Sequence, residues 1–172
     1  EIARLYPTVV IRDTGLFQLM EQGLYTPMSE KDAVERTAAM YRILTKAGIN
    51  VIRVGLKSSD IMSDGHNTAE TFHPAFRQLV EGLIARQDLE MQIDNILQLY
   101  RQSHMTCPGI ALISNEKCRN NLFGHKSENK HYFKNKYDKI SFDYLIDSQA
   151  GMRLKDGEYL AVCISDIKDK II

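Results

Sequence analysis

The sequence lacks tryptophan, has only four prolines, and has three cysteines among 172 residues. The cysteines, Cys107, Cys118 and Cys163, are odd in number and widely spaced. This pattern predicts reduced thiols in a cytoplasmic protein and argues against a disulfide scaffold. No C-x-x-C pair occurs, so the chain encodes neither a zinc knuckle nor an iron–sulfur site.

Net charge and long apolar runs are also missing. Lysines and arginines number 22, as do the acidic residues, so no overall charge favours nucleic acid or a membrane. Any basic surface must therefore be local. The longest apolar stretches, 9–11 and 160–164, are far too short to span a bilayer, and we expect no membrane partner. The hydrophobic content of 44% excludes disordered and fibrous classes.

The first half of the chain has the pattern of a β-α-β unit. Segment 3–14, ARLYPTVVIRDT, predicts a strand of the buried, parallel kind, and segment 50–60, NVIRVGLKSSD, predicts a second. Between them, Ser29 and Asp32 resemble a capping box at the start of a helix, and Gly48 is placed to end it. Such units are right-handed with parallel strands.

The second half predicts a small α+β domain. Helices are predicted at 75–85 and 87–103, and the elements predicted from Cys107 onward are shorter. The later elements come in the order strand, two helices, two strands, in PGIALIS, EKCRNNLF, SENKHYFKNKY, KISFDYLID and GEYLAVCISDI. The predicted fold class is therefore α/β plus α+β, with domains at 1–87 and 88–172.

Arg53 is unexpected inside a strand that is otherwise apolar. An arginine there needs an acidic partner, an exposed face or a function, because burying an unpaired guanidinium costs several kcal/mol, roughly 3–5. Strict alternation places Arg53 beside Gly55 on one face, with an apolar face opposite formed by Ile52, Val54 and Leu56. Two interpretations stay open: an ion pair with an acidic residue at the domain interface, or contact with a ligand.

The position of these strands favours a ligand site. Parallel α/β sheets bind ligands at the carboxyl ends of their strands, where residues 12–14 and 57–60 lie. The long polar loop 58–72 follows the second strand, and loops of that length are often functional. Ser58, Ser59 and His66 are close in sequence, but no nucleophile elbow or partner acid joins them into a catalytic set.

Four segments carry a resemblance to a known family. YPTVVIRDT, the helix opened by SEKDA, the strand NVIRVGLKSSD and the later FHPAFRQLVEG resemble the last third of the core of radical S-adenosylmethionine proteins. The most similar branch is that of the catalytic subunit of Elongator, whose bacterial members are mostly described as iron–sulfur oxidoreductases. The resemblance implies a partial β/α barrel of six units, of which these strands are the fifth and sixth.

The resemblance also implies a cofactor and its site. Carried over by position, Val10, Arg12, Arg53 and Leu56 would lie near the adenosyl group of S-adenosylmethionine. The family holds a four-iron, four-sulfur cluster on a C-x-x-x-C-x-x-C loop, which this chain does not contain. We therefore expect a C-terminal fragment, starting at Glu1 without an initiator Met, that is inactive alone and binds neither cofactor by itself.

A basic segment suggests a different function. Residues 114–140 hold seven lysines and arginines against three acidic residues. Within it, Gly124, His125, Lys126 and Ser127 resemble the G-x-x-G loop with which KH domains clamp a nucleic-acid backbone, although serine replaces the second glycine. Lys130 follows one turn later. The alternative function is thus a non-catalytic RNA- or protein-binding module centred on 107–172, with tRNA as partner by analogy.

A simpler interpretation of the basic segment also stays open. A lysine-rich helix is most often a solvated face, with Tyr132, Phe133 and Tyr137 as its core side.

Two strands removed from a barrel leave unpaired edges, and such edges recruit other strands. We therefore expect homo-oligomers to form through 5–11 or 51–56.

Overall fold

The structure, a computed structural model, describes residues 1–56, 73–147 and 153–167. These residues form two units, Glu1–Val80 and Glu81–Ile172. The helices are α1 Gly15–Glu21, α2 Glu30–Lys46, α3 Phe76–Gln102, α4 Arg119–Phe123 and α5 Glu128–Lys136. The strands are β1 Ile2–Leu5, β2 Asn50–Val54, β3 Ile110–Ser114, β4 Phe142–Ile146 and β5 Tyr159–Cys163.

The first unit is built on a parallel pair of strands. β1 pairs with β2 in parallel, and α2, which connects them, packs against both. The pairing needs such a crossover, because parallel strands cannot be joined by a tight turn. The helix buries Ala33, Thr37 and Ala38 on its inner side. The predicted β-α-β unit is therefore confirmed.

Helix α2 begins and ends as predicted. The Ser29 hydroxyl accepts the Asp32 backbone N–H at 3.1 Å and donates to the Asp32 carboxylate at 2.6 Å. At the other end Gly48 has φ 73°, which brings its N–H to the Thr45 carbonyl at 3.0 Å. The Ile49 N–H then reaches the Leu44 carbonyl at 2.9 Å, completing a Schellman motif.

The first strand is shorter than predicted. β1 ends at Leu5, and residues 6–10 are outside any strand, whereas the sequence predicted a strand over 3–14. Pro7 has no backbone N–H to donate to a neighbouring strand, so the hydrogen-bonded ladder stops before it. Val10 and Arg12, which fall inside the predicted strand 3–14, therefore lie outside β1.

The second strand does not keep its predicted alternation. Ala3 pairs with Val51 and Arg4 pairs with Arg53, so Ile52 is an extra residue on β2. A bulge of this kind shifts the side chains that follow it onto the opposite face. As a result Val51 and Val54 are both buried, whereas Ile52 is 39% exposed. The predicted uniform apolar face is therefore wrong at Ile52.

Residues 76–102 form one helix where the sequence predicted two. Buried Ala85, Leu89, Ile93 and Leu97 form a continuous stripe across the predicted break at residue 86. The backbone N–H of Ala75 bonds to the His73 side chain at 3.0 Å at the start of the helix. No proline interrupts 75–103, so nothing in the backbone ends the helix early. The domain division at residue 87 stays a prediction.

The second unit has a mixed three-stranded sheet in the order β4-β3-β5. β3 is central and fully buried, parallel to β4 and antiparallel to β5. Two short helices, α4 and α5, lie between β3 and β4 in sequence, which confirms the predicted α+β order. The larger core on this sheet contains Leu89, Ile93, Ile110, Leu112, Leu122 and Phe133.

Among the helices that the structure describes, none combines the length and the apolar character that crossing a bilayer requires. The longest of them, α3, carries charged side chains along its whole length. The cytoplasmic location stays a prediction.

Candidate functional site

A cavity of about 580 Å³ lies where β2 ends in the first unit. Its described lining comprises Ile52, Arg53, Val54, Gly55, Leu56, Pro74 and Arg77. The carboxyl end of a parallel strand is where α/β sheets bind ligands, and the volume suits a molecule of nucleoside size. Two of the predicted residues, Arg53 and Leu56, are therefore brought together here.

Gly55 shapes the wall of this cavity. It has φ 77°, a left-handed conformation that favours glycine. Its N–H donates to the Leu5 carbonyl at 2.8 Å, which joins the ends of the two strands. A Cβ atom here would lie 2.9 Å from the Cβ atom of Phe76, so the missing side chain lets α3 start close to β2.

The charged residues of the described cavity lining are both arginines. Arg53 and Arg77 both line it, and no acidic residue is among the described lining residues. Arg4 is the register partner of Arg53 across the sheet, and both side chains are exposed. Like charges on directly paired strand residues repel each other. In the cavity itself, the two lining arginines, Arg53 and Arg77, favour a carboxylate or phosphate group.

The other two predicted cofactor residues lie apart from this cavity. Val10 is fully buried in the core of the first unit. Arg12 is exposed in the turn before α1, and neither residue lines the cavity. The predicted strand-end residues 57–60 and the predicted functional loop 58–72, which contains His66, lie outside the described residues.

The glycine of the basic loop has a clear packing reason. Gly124 is buried at φ 75°, and a Cβ atom there would lie 2.9 Å from the Asn129 side chain. Asn129, itself 2% exposed, donates from Nδ2 to the Gly82 and Asn121 carbonyls, both at 2.9 Å. These contacts hold the connection between α4 and α5 in place.

The residues after Gly124 differ in backbone conformation and in exposure. Lys126 and Ser127 both have positive φ, at 49° and 63°, and Ser127 precedes α5 without capping it through its side chain. Lys126 and Lys130 are exposed, and His125 is half-buried. Lys130 lies with its Nζ 5.8 Å from the centroid of the Tyr144 ring.

Tyr144 in turn stacks on Phe123 at 5.1 Å between ring centroids. Both rings are half-buried, and burial raises the pKa of Tyr144 to about 12. The surface of the second unit beside the Gly124 loop therefore combines an aromatic pair with lysine side chains. Aromatic rings and cations are the groups that bind single-stranded nucleic acid without sequence preference.

Comparison with known proteins gives one match. The family model for the Radical_SAM C-terminal domain matches residues 1–86, half of the chain. The chain belongs to the Radical_SAM C-terminal domain family. No curated protein and no solved structure matches it. The matched residues include all of the described lining of the cavity beside Arg53, so that cavity belongs to the Radical_SAM C-terminal domain part of the chain.

Radical S-adenosylmethionine chemistry uses that cofactor together with a four-iron, four-sulfur cluster, and the residues present do not fit the cluster. Such clusters need several cysteine thiolates at one place. All three cysteines lie beyond residue 86, outside the Radical_SAM C-terminal domain match. The described residues contain no group of three or more histidine, cysteine or acidic side chains that could hold a metal. The Arg53 cavity, in contrast, suits a carboxylate such as the one S-adenosylmethionine carries.

The sequence did not indicate Arg77 at this site, Arg4 opposite Arg53 on the neighbouring strand, or one cluster elsewhere. Arg4 and Arg77 are far from Arg53 in sequence, and only the strand register and the start of α3 bring them near it. In the second unit Cys163 lies within 2.9 Å of the Tyr100 hydroxyl. No spacing in the sequence indicated either arrangement, because each depends on contacts between distant segments.

Proposed function

We propose that this chain is the C-terminal part of a radical S-adenosylmethionine enzyme of the Elongator-like, iron–sulfur oxidoreductase branch. In this proposal the cavity beside Arg53 binds an anionic group of the cofactor or substrate. The observation that carries it is the pair of arginines lining that cavity within the family match, at the carboxyl end of a parallel strand. Guanidinium groups bind carboxylates and phosphates through charge-assisted hydrogen bonds.

Five of the lining residues have a defined role in this proposal. Arg53 and Arg77 orient the anionic group, and Gly55 lets Phe76 and the start of α3 approach the strand end. Leu56 and Pro74 supply apolar surface that reduces contact with water. When bound, the cofactor supplies the radical chemistry. The chain's own residues bind the anionic group and orient it.

The cluster-binding loop must then come from residues outside this chain. The reading frame that encodes Glu1 is expected to encode, upstream of it, a C-x-x-x-C-x-x-C loop followed by strand–helix repeats. Sequencing that frame is the direct test. A frame without the three-cysteine loop, with no partner chain that carries it, would overturn the enzyme assignment.

The role of Arg53 is tested by substitution in the cluster-bearing protein. Arg53→Met is expected to weaken S-adenosylmethionine binding about tenfold, since a hydrogen bond to a charged group contributes roughly 1.5–3 kcal/mol. Arg36→Met, an exposed arginine on α2 in the same unit, is the matched control. Calorimetric titration gives both affinities. Equal affinities for the two variants would remove Arg53 from the cofactor site and leave a substrate role to be tested by the Michaelis constant.

A second candidate function, RNA binding by the second unit, is supported by the Phe123–Tyr144 stack with Lys130 above it. Lys126 and Lys130 would contact phosphates, and the rings would stack on bases. Glu128 opposes phosphate binding in part, because it places a carboxylate in the first turn of α5. This carboxylate is paired with Arg86 at 3.3 Å. Two of the predicted residues, Gly124 and His125, would contribute only the shape of the loop.

The RNA proposal has its own test. The double variant Lys126→Glu with Lys130→Glu is expected to abolish binding of a short fluorescent RNA, and binding by the original chain should fall with salt. Lys155→Glu, an exposed lysine of the same unit, is the control for charge alone. Fluorescence anisotropy measures the RNA affinity of the two variants and of the original chain. RNA affinity unchanged in the double variant would refute this candidate without affecting the Arg53 cavity.

A further inference from the structure

A second cavity lies in the second unit, between the end of α3 and the residues that follow α5. It measures about 340 Å³. Small-molecule sites in proteins occupy roughly 300–1000 Å³, so this volume is large enough for a compact ligand. Its described lining comes from α3, from residues 105–107 and from residues 136–140, all beyond the Radical_SAM C-terminal domain match. We call it the Arg101 cavity, after the arginine of α3 that lines it.

The buried part of this lining is apolar. Leu97 and Tyr137 are 9% and 8% exposed. Tyr100 and Ile140 are half-buried and pack against the same hydrophobic core. Because the core holds these side chains, the apolar surface is formed before any ligand arrives. A ring or a short alkyl chain that covers it is removed from water, which favours binding.

The hydroxyl protons of the two tyrosines are already donated elsewhere. The Tyr100 hydroxyl donates to the Cys163 sulfur at 2.9 Å, and the Tyr137 hydroxyl donates to the Asp94 carboxylate at 2.7 Å. Neither hydroxyl is therefore a spare donor for an anionic group in the cavity. Such a group must be held chiefly by the basic side chains of the lining.

Three basic side chains line the cavity, and one of them is already paired. Lys136 is hydrogen-bonded through Nζ to the Glu90 carboxylate, and the same atom lies 3.7 Å from a carboxylate oxygen of Asp94. These two acidic residues belong to α3 and do not line the cavity. Because they balance its charge, Lys136 adds little attraction for a further anion.

The other two basic side chains, Arg101 and Lys139, are exposed. Among the described residues, neither of them forms an ion pair. One acidic residue, Asp138, is part of the described lining and is also exposed. Two positive charges against one negative charge leave a single positive charge to be matched. A ligand with one negative charge therefore complements the cavity.

We propose that the Arg101 cavity binds a small monocarboxylate that carries an aromatic ring or a short alkyl chain. The planar guanidinium group of Arg101 suits a carboxylate, because the two groups form paired, parallel hydrogen bonds. Lys139 adds a second cation to the same lining, and the ring or chain covers Leu97 and Tyr137. The inference is independent of the proposed function of the Arg53 cavity, since the two cavities share no described lining residue.

Phenylacetate is the probe for this site, and two related molecules separate its charge from its ring. Phenylacetamide keeps the ring without the charge, and acetate keeps the charge without the ring. Titration of the whole chain, followed by two-dimensional nitrogen–proton NMR spectra, gives the three dissociation constants. We expect phenylacetate to bind at least tenfold more tightly than either relative. Equal affinity for acetate or for phenylacetamide would overturn the proposal.

The same spectra distinguish other occupants of the cavity. Phenyl phosphate carries nearly two negative charges at neutral pH, so it should bind less tightly than phenylacetate. Tighter binding of phenyl phosphate would refute the assignment to a monocarboxylate. Signals of Arg101 and Met105 that shift with protein concentration alone would show that a second copy of the chain fills the cavity, which would also refute the proposal.

Arg101→Met removes the proposed carboxylate partner and keeps an unbranched side chain. It is expected to weaken phenylacetate binding about tenfold, because hydrogen bonds to a charged group are lost. Arg153→Met is the matched control, since Arg153 is an exposed arginine of the same unit outside the described lining, and it should keep the original affinity. Equal affinities for these two variants would remove Arg101 from the site and overturn the proposal.

A charge added to the lining tests the location of the site without disturbing the core. Met105 lines the cavity and is 63% exposed, so Met105→Glu keeps the fold and cancels the remaining positive charge. We expect phenylacetate binding to weaken at least tenfold. Met91→Glu is the control, because Met91 is 61% exposed on α3 but outside the described lining. Circular dichroism checks that both variants are folded, and equal affinities would show that phenylacetate binds elsewhere.

Discussion

A Cβ atom at Gly55 would lie 2.9 Å from the Cβ atom of Phe76, at the point where β2 ends and α3 begins in the first unit. The Phe76 side chain is 2% exposed, so it cannot move aside into solvent. Gly55 also has φ 77°, which residues with a side chain rarely adopt. Two separate costs therefore oppose any side chain at this position, beside the proposed cofactor cavity.

Gly55→Ala is expected to destabilise the chain by about 2–4 kcal/mol, from the left-handed backbone together with overpacking against Phe76. Gly48→Ala is the matched control, because Gly48 has φ 73° but nothing within 4 Å of its Cβ position. We expect it to lose only about 1–2 kcal/mol. Urea unfolding monitored by circular dichroism gives both values. Equal losses for the two variants would contradict the close packing at Gly55.

Features set by local chemistry could be predicted from the sequence. Ser29 and Asp32 form the predicted capping contacts, and Gly48 ends α2, because each depends only on residues a few positions away. The strands and helices of the second unit follow their alternating or helical apolar patterns for the same reason. The early stop of β1 could also have been predicted, since Pro7 removes a donor that a longer strand needs.

Features set by long-range contacts could not be predicted. The extra residue at Ile52 is a matter of register between two strands, and it moves side chains from face to face. The pairing of Arg4 with Arg53 across the sheet depends on that register. The hydrogen bond from Tyr100 on α3 to Cys163 on β5 joins residues far apart in sequence, which no spacing rule specifies. Position along the chain therefore predicted a candidate site at a strand end but not which side chains meet there.

Asn129 is expected to be the most sensitive polar position of the second unit. It is buried, and its Nδ2 atom bonds to the Gly82 and Asn121 carbonyls. Asn129→Ala leaves both carbonyls without this donor, which costs about 1–3 kcal/mol in a buried site. Asn129→Asp should cost more, because a carboxylate would face two carbonyl oxygens. Thermal unfolding measures the losses, and the exposed Asn95→Ala should lie within about 0.5 kcal/mol of the original chain.

Stability should fall as the solution becomes strongly alkaline. Burial raises the pKa of Tyr144 to about 12 and also raises the pKa of Tyr137 and of Tyr159. An unfolded tyrosine ionises near pH ~10, so the stability that neutral tyrosines contribute is fully present below that pH and is lost as pH rises through the folded-state values. Free energies of unfolding in urea should therefore decrease between about pH 10 and about pH 12.

Tyr144→Phe isolates one part of this pH dependence. Because Tyr144 is only half-buried, solvent screening reduces its share, and we expect the alkaline slope to become shallower by about 0.5 kcal/mol per pH unit. The control is internal: below about pH 9 the original chain and the variant should depend on pH in the same way. An alkaline slope that does not change on substitution would mean that Tyr144 ionises equally well in the folded and unfolded chain.

Self-association through the first unit is the final prediction. Among the described residues, β1 and β2 form a sheet of only two strands, so each has an edge that no other described strand covers. Ile2 is 66% exposed and Ile52 is 39% exposed, and exposed apolar edge strands pair with other chains. We propose that the chain forms dimers or larger species by pairing these edges. Light scattering should give a mass that increases with concentration.

Substitution of the edge residues tests this mode of assembly. Ile2→Lys with Ile52→Lys should shift the protein to a monomer, because charges on an edge strand oppose pairing with a second copy. Leu24→Lys is the control, since Leu24 is 72% exposed but lies in the turn after α1, away from any strand. If both variants associate as strongly as the original chain, the interface lies elsewhere. A chain that stays monomeric at high concentration would show that these edges recruit no second copy.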